Sequence, residues 1–590
     1  MGQTPVGSDG QEELASGPER PDAEDDGLDQ AAPRNRWLAL TIVLSGVFMQ
    51  MLDTTIVMVA VPPIQADLGA SSAQLELIIA GYSLAFACVL ITGGRLGDLY
   101  GRKRVFLIGL TGFTLASALC GAAPDAPFLV ASRIFQGICA GLMFPQALSI
   151  LQTTFPKRER PKALAIYGAC VGLAMVCGPV LGGSLIELDL FGTDWRMIFY
   201  VNVPIGIAAL LLGVGVIGES RALGAPRLDV VGALLVTTGL FLLVLPLVLG
   251  QEEDWPAWTF WMMGGSLLVL GLFYLYERRL TARSVGTPLL RTTLFRQRGF
   301  TMGLLVNLVV FMGVPAFFFI SVMTLQVAFE YSAIGAGAAL LWFAAMVGAG
   351  SGRSAQVVKK LGTWTLTLGL TLMTLGMVGV IITVNIVETD LRGWQLAPAL
   401  MVAGLGGGFF LAPVISVVIA SIRSEDAGTA SGVLATAQQV GSAIGIAVIG
   451  VLFFGFIGDN AQRSLEETEP GLRTSLVEQG LPEPAVEEIV AGFGQCFDDR
   501  AQSQDLSESP ESCEAMRERL AASPLPDEAK QLTAQAIEEE AAPLALKTNF
   551  AQSYQQAVWW QVGVFGAGLL LTLALPKVRP KGGVTPGGVG

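Results

Sequence analysis

The sequence contains no histidine, and only 14% of its 590 residues are charged. The first absence removes imidazole from every acid–base role, so a proton relay must rest on carboxylates whose environment shifts their affinity. The second excludes an ordinary soluble domain, where about a quarter of residues carry charge. A Gly-x-x-x-x-Gly-Lys-Ser/Thr phosphate loop is also missing, which removes the familiar means of drawing on ATP. Residues 1–36, rich in Gly, Pro, Asp and Glu, lack the apolar core of a secretory leader and are expected to be a disordered acidic cytoplasmic tail. Neither a metal, another cofactor nor a nucleic acid is expected as a partner, and no enzymatic chemistry.

What is present is hydrophobic sequence. Hydrophobic residues make up 52% of the chain and the mean hydropathy is +0.58. Runs near the ~20 residues that cross a hydrocarbon core of roughly 30 Å recur fourteen times. They group as six within 37–217, two within 218–299, five within 300–457 and a last one at 556–577, with 578–590 as a short tail. The chain therefore reads as an all-α membrane protein in the plasma or inner membrane. Arg102 to Arg104, Lys157 to Lys162, Arg278 to Arg298, Lys359, Lys360 and Lys577 follow even-numbered runs, whereas Asp67, Asp125, Asp189 and Glu252 to Asp254 follow odd ones. By the positive-inside rule both termini are cytoplasmic.

The net charge of −13 belongs to the appendages. Residues 458–555 alone hold 20 acids against 7 bases, and the charge pattern puts this segment outside the cytoplasm as an acidic loop or cap. Cys496 and Cys513 fall in it and are expected to pair in that oxidising setting. Cys88, Cys120, Cys139, Cys170 and Cys177 lie in hydrophobic runs, where cysteine acts as a small apolar packing residue.

The most telling stretch is Gly93-Gly-Arg-Leu-Gly-Asp-Leu-Tyr-Gly-Arg-Lys-Arg-Val105, a glycine-broken, cation-rich segment between two spanning runs. It reads as a tight cytoplasmic hairpin. Gly94, Asp98, Gly101, Arg102 and Lys103 there, Ala131-Ser-Arg133-Ile-Phe-Gln136-Gly137 in the fourth run, and Gly172, Gly178-Pro179 and Gly182-Gly183 in the fifth form an ordered set. Leu52-Asp53-Thr-Thr-Ile-Val57 in the first run, and Gly428 to Gly432 with Gln438 and Gln439 in the thirteenth, extend it. The set resembles the major facilitator superfamily, and within it the fourteen-span drug:proton antiporters of the multidrug efflux type. Met58 departs from the first-run motif, and around Lys359-Lys-Leu-Gly362 the second-half counterpart of the hairpin motif is degenerate.

The resemblance implies a major facilitator fold with 6+2+6 helices and a monomer exchanging a small-molecule substrate for protons. It makes Asp98, with Gly94, Gly101 and Arg102, a gate, and it gives the glycine–proline motif a role in antiport. Independently, a charge within hydrocarbon costs about 2.5–3.5 kcal/mol on insertion scales, so Asp53, Glu76 and Arg133 are expected to face the protein interior and to serve coupling. Gln136, Gln438 and Gln439 are expected along the substrate pathway. Aromatic residues in the later runs, Phe317, Phe318, Phe319, Trp342, Phe343, Phe409 and Phe410, are candidates for lining an apolar cavity. A dedicated exporter of an endogenous metabolite or lipid, and a receptor or scaffold that does not transport, remain open alternatives.

Overall fold

The computed structural model describes residues 35–575 apart from 157, 190–191, 222–227, 251–254, 284–287, 291, 421–426 and 503–509. The tails expected at 1–36 and 578–590 thus lie almost wholly outside the described residues. The first bundle comprises α1 (Arg36–Ile56), α2 (Ser72–Tyr100), α3 (Arg102–Gly121), α4 (Ala126–Thr154), α5 (Arg160–Leu188) and α6 (Asn202–Val216). A hairpin of α7 (Val230–Leu249) and α8 (Ala257–Arg283) follows. The second bundle comprises α9 (Arg298–Met323), α10 (Ala333–Leu361), α11 (Trp364–Val387), α12 (Ala397–Ala420), α13 (Ala427–Glu478) and α17 (Ala542–Thr572). Between α13 and α17 stand α14 (Glu483–Gln502), α15 (Glu511–Ala522) and α16 (Asp527–Gln535).

Twelve stretches of the described helices are long and apolar enough to cross a membrane. Two further long helices, α5 with 29 residues and α17 with 31, pack among them. Local chemistry sets the helix starts. Ser71 and Gln74 form a capping box at α2, Asp125 accepts from the Phe128 amide at 2.9 Å to start α4, and Ser332 caps α10. Between α2 and α3 the expected glycine-broken hairpin narrows to one residue. Gly101, at φ +105°, is the turn, while Gly93, Gly94 and Gly97 lie inside α2. These helical glycines serve close approach instead: a methyl group on Gly93 would strike the Gly141 carbonyl of α4.

Ion pairs tie down both ends of the first bundle. Arg36 at the start of α1 donates to both carboxylate oxygens of Glu159, just before α5, at 2.7 and 2.9 Å. At the other end Asp67 accepts from Arg196 at 3.0 Å and from the indole of Trp195 at 3.1 Å, with Trp195 wholly buried.

The two bundles meet along α2–α13 and α5–α10. Ser149 of α4 and Ser431 of α13 are 3.1 Å apart, Ser431 also donates to the Pro145 carbonyl at 3.1 Å, and Gly432 rests on the Leu90 backbone. Toward the opposite end Gly337 of α10 sits against Val180 of α5. The α7–α8 hairpin leans on α2 and α13 through α7, and most of α8 is exposed, as a lipid-facing helix would be.

The expected boundary near 457 marks no chain break. At about 1.5 Å per residue, the 52 residues of α13 run about 78 Å, more than twice a hydrocarbon core, so the helix continues directly into the acidic segment. There Val486, Val490, Phe493 and Phe497 bury one face of α14, and Cys496 of α14 is joined to Cys513 of α15 by a disulfide, with Cα atoms 4.6 Å apart.

Candidate functional site

Asp53 lies in the last turn of α1 and Arg133 two turns into α4, which places both at the end of the bundle away from the Gly101 turn. Their side chains are 0% and 1% exposed, and Arg133 Nη1 donates directly to Asp53 Oδ2. Asp53 Oδ1 accepts from Gln136 Nε2 at 3.0 Å and from Asn202 Nδ2 at 3.3 Å. Gln136 returns its carbonyl oxygen to Arg133 at 2.8 Å. Ser117 accepts from both amides, at 3.2 and 3.1 Å, and donates to the Phe199 carbonyl. Arg133 Nε donates to the Ile78 carbonyl at 3.0 Å, and its guanidinium lies 4.2 Å from the centre of the Tyr82 ring.

Five helices thus contribute to one network around this carboxylate, and two of them, α4 and α6, donate to it directly. Such a pair is retained at a high desolvation cost, and removing one partner leaves an uncompensated buried charge. The chemistry available is exchange of a proton at Asp53 against its hydrogen bonds to Arg133, Gln136 and Asn202, with no other carboxyl in the network among the described residues. Gln136 is wholly buried in this network and is absent from the lining of the central void.

Asp98, wholly buried, accepts from Arg102 Nη2 at 3.0 Å across the Gly101 turn. Glu219, in the polar stretch after α6, reaches the same turn. Its Oε1 accepts from the Lys103 amide at 3.2 Å, and Arg104 lies 3.8 Å away. The carboxylate therefore caps the start of α3, where the free amides and the helix dipole favour negative charge. Lys103 Nζ donates to the Val214 carbonyl at 2.7 Å, tying the turn to the end of α6.

The glycines of α5 face two partners. Gly178 and Gly182 lie against Thr55 and Ile56 of α1, while Gly172 meets Val347 of α10. Gly183 is buried in the same helix. The side chains of Glu76 and Pro179 lie outside the described residues.

Between the bundles a void of at most about 270 Å³ is lined by Met51, Phe144, Tyr167, Phe311, Leu411 and Gln438, among others. This is below the usual ~300–1,000 Å³ of a drug-sized pocket. Gln438 lines it and donates to Asn307 Oδ1 at 3.4 Å, while Gln439 is half-buried on the next position. Of the expected aromatic residues none lines the void: Phe317 and Phe410 are packed within the second bundle, and Trp342 is exposed. Phe144, Phe311 and Tyr167 take that place.

Sequence reasoning missed Asn202, Ser117, Tyr82 and Glu219. Asn202 was visible as the lone amide in an otherwise apolar sixth run, whereas Ser117 and Tyr82 carry no comparable signal.

Residues 43–446 match the family model described as Major Facilitator Superfamily. The chain belongs to the major facilitator superfamily. This major facilitator is 37% identical over 547 residues to a Streptomyces coelicolor protein named "Probable actinorhodin transporter", covering 92% of each chain. It is 34% identical over 431 residues to the "Tetracenomycin C resistance and export protein" of Streptomyces glaucescens, covering 72% of this chain and 77% of the other. Among solved structures, that of the human organic anion transporter MFSD10 aligns with a TM-score of 0.49 at 18% identity, covering 70% of this chain and 93% of the other. As a major facilitator with these spanning helices, it is a multi-pass protein of the cell membrane.

Proposed function

We propose that the chain is a drug:proton antiporter that exports amphipathic toxic compounds by alternating access, with fourteen spans, both termini in the cytoplasm and a monomer as the working unit. The observation that carries the reading is the Asp53–Arg133 pair, sealed at 0% and 1% exposure in the interior of one bundle. A scaffold gains nothing from a buried carboxylate held against a cation, whereas a carrier that must take up and release a proton in each cycle needs a carboxyl whose ionisation is poised by a partner.

The packing of α5 against α1 and α10, and of α17 against α9, α11 and α13, supports counting both as spans. The small void between the bundles fits a midplane site in an alternating-access cycle, with Gln438 as its polar contact. The Asp98–Arg102 contact and the Ser149–Ser431 contact fit a closed cytoplasmic gate. The names of the relatives support a drug or antibiotic as cargo.

A second reading, a dedicated exporter of one endogenous metabolite, gains support from one observation. The alignment of 547 residues with the actinorhodin transporter relative is long enough to run into the 458–555 segment, which supports a cap of related kind in that chain. Expression in a drug-sensitive host separates the readings. Resistance to many unrelated cationic and aromatic compounds supports the antiporter of broad range, resistance to one compound supports the dedicated exporter, and none with correctly inserted protein contradicts export of toxic compounds.

A further inference from the structure

The void between the bundles is walled by Met51, Phe144, Tyr167, Phe311 and Leu411, with Gln438 as a polar group among them. These side chains come from α1, α4, α5, α9, α12 and α13, and the sequence of those helices keeps negative charge away from the wall. From Ala126 to Thr154, from Arg298 to Met323 and from Ala397 to Ala420 there is no Asp or Glu, so α4, α9 and α12 bring none. On α13 there is none between Ala427 and Gly458. On α5 the one acid is Glu187, about 30 Å along the helix from Tyr167 at 1.5 Å per residue. Glu76 stands on α2, of which no described residue lines the void. The acid of α1 is Asp53, and its two oxygens are already taken by Arg133, Gln136 and Asn202.

The polar contact that the wall does offer is uncharged. Gln438 Nε2 donates to Asn307 Oδ1 at 3.4 Å, and Asn307, wholly buried, keeps an amide nitrogen without an acceptor among the described residues. Two side-chain amides supply donors and acceptors but no charge. A buried donor left open is costly, and a bound carbonyl or hydroxyl oxygen beside this pair relieves that cost. Phe144, Phe311 and Tyr167 present ring faces and edges suited to a flat aromatic molecule. A lipophilic cation meets the opposite conditions. It would give up its water without gaining a carboxylate, and the attraction of aromatic faces would stand alone against that loss.

Resting on the reading of this void as the cargo site, we propose that the cargo is an uncharged aromatic compound bearing a carbonyl or hydroxyl oxygen, that Asn307 and Gln438 recognise that oxygen, and that permanently charged cations are rejected. Recognition and coupling then occupy separate places. Asp53 exchanges its proton within its own network, and the cargo needs no contact with it.

The test uses the full chain in inverted membrane vesicles energised by respiration, with vesicles from cells lacking the chain as background. Two probes on one ring system are compared: a methoxyanthraquinone, and the same anthraquinone with a trimethylammonium group in place of the methoxy group. Uptake of the uncharged probe should exceed that of the charged one by about tenfold. Gln438→Glu, which sets a carboxylate on the wall, should reverse the preference at mildly alkaline pH. Asn307→Leu should raise the KM for the methoxyanthraquinone and leave that for anthracene, which has no oxygen, unchanged. Equal or faster uptake of the charged probe by the unaltered chain overturns the proposal and leaves export of toxic compounds standing. An inserted Gln438→Glu chain that takes up the probes with the original preference overturns the assignment of recognition to this wall. If correctly inserted chain neither takes up nor binds either probe, the export reading falls and the cargo class falls with it.

Discussion

Gln136 donates to Asp53 at 3.0 Å while accepting from Arg133 at 2.8 Å, so one amide holds the carboxylate and its cation in register. Asp53 is thereby joined to one connected unit spanning α1, α3, α4 and α6, and two of these helices, α1 and α4, also line the void through Met51 and Phe144.

Asp53→Asn keeps the shape and most of the hydrogen bonds but cannot take up and release a proton. Export should fall to the level of an empty vector at equal expression, and the melting temperature of the purified protein should fall as well, because the buried Arg133 guanidinium loses its counter-ion. Resistance at the unaltered level in this variant contradicts the coupling role.

Arg133→Ala leaves the Asp53 carboxylate buried without its cation, a change that costs about 3–5 kcal/mol in comparable sites. Like Asp53→Asn, it should lower the melting temperature in detergent. The double variant, with no charge left to strand, should recover part of the loss, which a thermal-shift comparison of the three proteins reads directly.

Asp98→Asn should slow transport by loosening the turn contact with Arg102, while substrate binding at equilibrium survives in part. Single cysteines placed at the two ends of the interface report it: reagent access on the side of the Gly101 turn should rise. Unchanged access on both sides contradicts the gate assignment.

Gly432→Ala drives a methyl group into the Leu90 carbonyl and the Ile91 backbone of α2, neither of which can swing aside. Overpacking of this kind costs about 1–3 kcal/mol, and here it wedges α13 away from α2. Gly455→Ala on the same helix meets nothing within 4 Å and serves as the control. Export should drop in the first and persist in the second.

Replacing Cys496 and Cys513 together by serine should destabilise the acidic cap by roughly 3 kcal/mol in the chain-entropy account of a short closed loop, while export persists. Limited proteolysis of inverted and right-side-out vesicles reads both the loosening and the side on which the cap lies.

The spanning helices were legible because long apolar runs have few other destinations. The Asp53–Arg133 contact was legible because buried charge of opposite sign finds its partner. Helix ends were less so: α13 runs on to Glu478 and α2 absorbs Gly94 and Gly97, since polar residues on an exposed helix face and helical glycines at tight crossings look like loop in one dimension. Gln136 was placed on the substrate pathway by its motif, yet three-dimensional packing turns it to Asp53 and Arg133. The aromatic candidates failed for a related reason: direction around a helix decides whether a ring meets cavity, core or lipid, and helices buried nearly all round carry little periodicity to show it.

The most direct test of proton-coupled export places the purified protein in vesicles with a pH-sensitive dye inside. Exported compound is then added on one side with no gradient imposed. The account predicts proton movement opposite to the compound, present with the unaltered chain and absent with Asp53→Asn. Compound crossing the membrane at full rate with no accompanying change in internal pH would contradict it.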